Sequence, residues 1–83
     1  MNNKKIIQEL VKISLNENQI LALDSFIACR GISAFKNSNL LKAINRNDKD
    51  LIPEEFLKWV VDNGKKTPVL EQARRVEIDL FFK

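Results

Sequence analysis

The chemistry open to this chain is bounded by what it lacks: no His, no Tyr, and a single cysteine, Cys29. A zinc site of the usual kind needs several Cys or His ligands, so no metal site is expected. Cys29 has no His to take its proton and falls on the apolar arc of a helix, which predicts a small core hydrophobe rather than a reactive thiol. Ser14, Ser25, Ser33 and Ser38 lack the same partner, and Ser14 and Ser38 suit turns and caps. Acidic pairs occur at Glu54-Glu55, Asp48/Asp50 and Glu77/Asp79. The first pair suits a helix N-terminus and the others lie among opposite charges, so solvated surface explains them better than acid–base work. The run from Asn45 to Phe56 fails as a calcium loop, with Lys49 fifth and no glycine sixth. Gly31 and Gly64 stand alone, so no glycine-rich phosphate cradle exists. These eliminations predict a chain that is not an enzyme and takes no cofactor and no small-molecule substrate.

What is left is recognition by a surface. In the last predicted helix, Val69, Ala73, Val76 and Leu80 form a stripe expected to be core. Leu70 and Phe81 flank it, and Ile78 and Phe82 point nearly opposite. Leu21, on the wet side of the second helix, is a further surplus apolar residue. A chain of this length buries only about 60–65% of the surface it exposes when unfolded, so some of these side chains are expected to stay uncovered. Leu21, Leu70, Ile78, Phe81 and Phe82 are therefore the expected protein interface, for another protein or for a second copy in a homodimer. The chain then reads as a non-catalytic binding module, an inhibitor, adaptor or regulator.

The alternative is DNA binding. Gly31 joins two helices as in a helix-turn-helix, and the following helix offers Asn39, Lys42, Asn45 and Arg46 opposite Leu40, Leu41 and Ile44. Asn and Arg suit base edges and Lys suits phosphate, with Lys36 adding to the backbone contacts. The connector from Gly31 to Ser38 is long for such a turn.

The elements that would carry these surfaces are helical. An amphipathic helix spans Asn3 to Ile13 on Ile6, Ile7, Leu10, Val11 and Ile13. Asn16 caps a second, with Gln19 reaching back and Leu15 stapling to Ile20. It runs to Arg30, stops at Gly31, and is greasy enough on most sides to sit centrally. Ile32 to Asn37 reads as a connector anchored by Ile32 and Phe35. Ser38 caps a short helix to Arg46. Pro53 opens a fourth, with Phe56, Leu57, Trp59, Val60 and Val61 inside and Asn63-Gly64 at its end. Thr67-Pro68 opens the fifth, supported by a Glu71–Arg75 pair. Residues 76–80 also alternate with period two, but no other segment reads as a strand, so helix is preferred. The expectation is an all-α, single helical domain over 1–83, a bundle of about five short helices, helix-turn-helix-like in its middle.

With 45% hydrophobic and 30% charged residues the composition is that of a globular chain. A net charge of +3 permits phosphate binding without demanding it. No window is apolar enough to span a membrane, and the basic N-terminus lacks a signal-peptide core. The lone cysteine suggests the reducing cytoplasm.

Overall fold

The computed structural model describes residues 3–62 and 64–83. Met1, Asn2 and Asn63, and with Asn63 part of the expected stop of the fourth helix, lie outside them. The fold is all-α, with six helices among the described residues: α1 Lys4–Leu10, α2 Glu17–Arg30, α3 Ile32–Lys36, α4 Asn39–Asn45, α5 Leu51–Leu57 and α6 Pro68–Phe81. A short antiparallel hairpin, β1 Val61–Asp62 and β2 Lys65–Lys66, pairs Val61 with Lys66 and Asp62 with Lys65.

Helix starts follow local chemistry. Asn16 accepts from the Gln19 amide while the Gln19 side chain accepts from the Asn16 amide, both at 2.8 Å, so the capping box forms as expected. Ser38 accepts from the Leu41 amide and Thr67 from the Leu70 amide, both at 3.1 Å. Each such cap stabilises its helix by about 1 kcal/mol.

α2 is the central element, and its most extensive helix contact is with α6. Ile20, Ala22, Leu23, Phe26 and Ile27 are buried along it. The Phe26 ring meets Phe35, Phe56 and Trp59 edge-on at 6.1, 6.1 and 5.4 Å, tying α3 and α5 to α2. Phe56 in turn meets Phe81 of α6 at 5.9 Å. Edge-on pairs add roughly 0.5–1.5 kcal/mol each beyond the area they bury.

Several local expectations are corrected. The 32–37 connector is largely helical, as α3, because Phe35 must turn inward onto Phe26. Gly31 separates α2 from α3 by one residue at φ 94°, ψ 156°, an extended conformation open to glycine rather than a left-handed helical stop. α1 ends at Leu10, and the extended Val11 turns its side chain into the core. Val61 leaves the fourth helix for the hairpin, where Gly64 takes φ 78°. Cys29 is exposed, not core. The preference for helix over strand in the closing segment holds, since α6 runs through Phe81.

Candidate functional site

α6 brings the polar chemistry of the described residues together. Leu70, Arg74, Glu77 and Phe81 follow one another at i, i+4, i+7 and i+11 and face α2 and α5. Arg74 is 0% exposed and Glu77 2%. Arg74 Nη2 donates to Glu77 Oε2 at 2.9 Å, and Ser25 Oγ on α2 donates to the same oxygen at 2.6 Å. Arg74 Nε stands 2.7 Å from Glu77 Oε1, an ionic contact too bent to be a hydrogen bond. The guanidinium lies 5.2 Å from the Phe26 ring centroid, and Nη1 approaches the Trp59 carbonyl at 3.4 Å. Pairing, ring and carbonyl together offset the cost of removing both charges from water.

Where the hairpin meets the start of α6, Lys66, Pro68, Glu71, Gln72 and Arg75 line an open groove of about 480 Å³. Arg75 Nε donates to Glu71 Oε2 at 3.1 Å, and Lys66 Nζ lies 3.5 Å from Oε1. The Arg75 hydrogen bond, with the Lys66 charge behind it, holds the Glu71 carboxyl below its usual range. The groove thus presents cationic donors, an amide and an ionised acceptor. It can hydrogen-bond a hydroxyl-rich or acidic ligand, and Glu71 is biased away from donating a proton.

The other buried carboxylate among the described residues, Glu55, pairs with Lys58 at 2.9 Å. Asp48 accepts from the Leu51 amide at the start of α5. Among the described residues no three His, Cys, Asp or Glu side chains gather as a metal site, and no helix is long and apolar enough to cross a membrane.

The residues expected at a protein interface do not share one free face. Phe81, at 3% exposure, is core between Phe56 and Phe82, which corrects its assignment to the surface. Ile78 packs against the core and Leu70 is half-buried, while Leu21 and Phe82 are exposed. The expected core stripe of α6 is corrected at Val69, 78% exposed, and Val76, 53% exposed, while Leu80 does pack against the core. Of the expected DNA-reading set, Lys36, Asn39, Lys42 and Arg46 are exposed. Asn45 is not free to read a base, because its side chain accepts from the Lys12 amide at 2.6 Å and donates to the Leu10 carbonyl at 3.2 Å. Sequence reasoning missed Ser25, Arg74 and Glu77 as a unit. The one signal was an Arg and a Glu three apart at the spacing of Leu70 and Phe81.

Residues 2–77 match the phage lysozyme family, and the chain belongs to it. Over 75 residues it is 39% identical to the endolysin of Acyrthosiphon pisum secondary endosymbiont phage 1, covering 86% of this chain and 51% of that protein. It is 35% identical over 75 residues to the SAR-endolysin of Escherichia phage Mu, covering 90% of this chain and 44% of that one. The chain thus spans about half the length of these curated relatives. Membership of a lysozyme family overturns the expectations of a non-catalytic regulator, inhibitor or adaptor, of a DNA-binding protein, and of a chain with no part in enzyme chemistry and no substrate. The eliminations turned on His, Cys and glycine-rich motifs and on reading the acidic pairs as solvated surface, whereas glycoside hydrolysis runs on carboxyl groups alone.

Proposed function

We propose that this chain is the helical part of a cell-wall-hydrolysing endolysin acting on peptidoglycan, and that the groove between hairpin and α6 is one wall of the glycan site. The observation that carries this reading is the lysozyme-family match over residues 2–77. The groove chemistry supports it. Lys66, Gln72 and Arg75 are donors for sugar hydroxyls and carboxylates, and ionised Glu71 accepts from hydroxyls. Glycoside hydrolysis commonly uses two carboxyl groups, one of them protonated as the acid. Glu71 is held ionised and Glu55 and Glu77 are bound by cations. We therefore assign orientation of the glycan to this chain and assign the proton donor to the remainder of the lysozyme fold. Synthesis in the reducing cytoplasm, suggested by the lone cysteine, belongs to the same proposal.

The test is a graft in which this chain replaces the matched residues of the Acyrthosiphon pisum phage endolysin. Release of reducing ends from purified peptidoglycan is then measured. The graft should hydrolyse the polymer, and the chain alone should not. Gln72→Ala and Lys66→Ala in the graft should raise KM more than they lower kcat. A folded graft with no hydrolysis would defeat the reading, and hydrolysis by the chain alone would defeat the division of labour.

A further inference from the structure

The apolar stripe of α6 is used only in part by the core, against which Leu80 packs, and not at all by the polar groove. Val69, Ala73, Val76 and Leu80 recur at i, i+4, i+7 and i+11, within an arc of about 60°. Val69 and Val76 are large exposed hydrophobics, and Ala73 and Leu80 are half-buried. Val76 and Leu80 also line a groove of about 380 Å³ with Asp79 and Lys83 at its rim. One residue further along, the same spacing gives Leu70, Arg74, Glu77 and Phe81, the face that α2 and α5 cover. α6 therefore turns an Arg–Glu pair inward and, about 100° around the helix, leaves Val69 and Val76 of an apolar stripe exposed, the reverse of an ordinary surface helix. A helix covered along two adjacent faces resolves the inversion: polar groups matched by α2 on one, and an apolar body on the next.

We propose that Val69, Ala73, Val76 and Leu80 form the seat for an apolar surface of the rest of the lysozyme fold, so that α6 is the internal wall between the two halves. This rests on the lysozyme reading above. The occupant follows from length: the match covers 51% and 44% of the two relatives, so each has a comparable stretch of chain outside it. A second copy fits less well. A 14-residue helix is about 21 Å long, so one stripe offers roughly 200 Å² and a symmetric pair roughly 400 Å². Stable interfaces between separate chains bury about 1,200 Å² or more. Covalent continuity removes that requirement.

The experiment uses a Cys29→Ser background, with Val76→Cys and Val69→Cys made singly, in this chain alone and in the graft described above. The probe is a charged maleimide, and the readout is the labelling rate. In the chain alone both thiols should react as exposed groups, and in the graft both should slow by about ten-fold or more, as burial requires. Equal rates would overturn the proposal. So would a dimer of the chain that Val76→Asp dissociates, because the second copy would then be the occupant. A graft that does not fold, judged by helical circular dichroism, also counts against it, since the face would have met no complement. Protection without hydrolysis leaves the seat standing and removes the hydrolase reading. Hydrolysis without protection does the reverse.

Discussion

Arg74 and Glu77, one turn apart on α6, form an ion pair that water does not reach, 2.9 Å between Nη2 and Oε2 and 2.7 Å between Nε and Oε1. Glu77 is also the acceptor for Ser25. The pair therefore fixes the rotation of α6 on α2, and with it which face is left outward. Removing one partner strands a charge in the core. Glu77→Ala should cost about 3–5 kcal/mol, read as a lower midpoint in urea unfolding. Joint replacement by Arg74→Met and Glu77→Leu should recover most of that loss. If Glu77→Ala unfolds at the parent midpoint, the pair does not hold the helix.

Gly31 tests backbone geometry in isolation. A Cβ there would meet nothing within 4 Å, but φ of 94° with ψ of 156° suits glycine alone. Gly31→Ala should destabilise by roughly 1–3 kcal/mol with no change in the aromatic core signals. A neutral substitution would mean that α3 can swing to another junction.

Asn45 ties the end of α1 to α4 through both halves of its amide. Asn45→Ala loses two hydrogen bonds, each worth about 0.5–1.5 kcal/mol net. The loss should be local, with faster hydrogen exchange at the Lys12 amide and little change in α6. Uniform exchange changes across the chain would show that α1 is not a separable element.

Glu71 should titrate below the usual glutamate range, because Arg75 hydrogen-bonds it and Lys66 adds charge. Its folded pKa is depressed, so its contribution to stability is present above the unfolded pKa and is lost as pH falls through the folded one. The side chain is solvent-screened, so the effect on stability is small. Carbon-detected NMR titration should find the Glu71 carboxyl low in the parent and moved toward the ordinary range in Arg75→Ala. An unshifted Glu71 in the parent would remove the argument that the groove keeps it ionised.

The sequence by itself determined the helical class and the places where helices begin. Asn16, Ser38 and Thr67 each act on the amide three residues on, so their spacing alone specifies the cap. The central place of α2 was legible for a similar reason, since its apolar arc is too wide for a surface helix. Tertiary structure decided which way α6 faces. Two stripes of equal period lie side by side on it, Val69/Ala73/Val76/Leu80 and Leu70/Arg74/Glu77/Phe81. Hydrophobicity favours burying the first. The second is buried because Ser25, the Phe26 ring and the Trp59 carbonyl arrive from other parts of the chain to satisfy Arg74 and Glu77. Cys29 and Asn45 were misread on the same ground: whether a helical face is covered depends on partners far away in sequence, which periodicity does not contain.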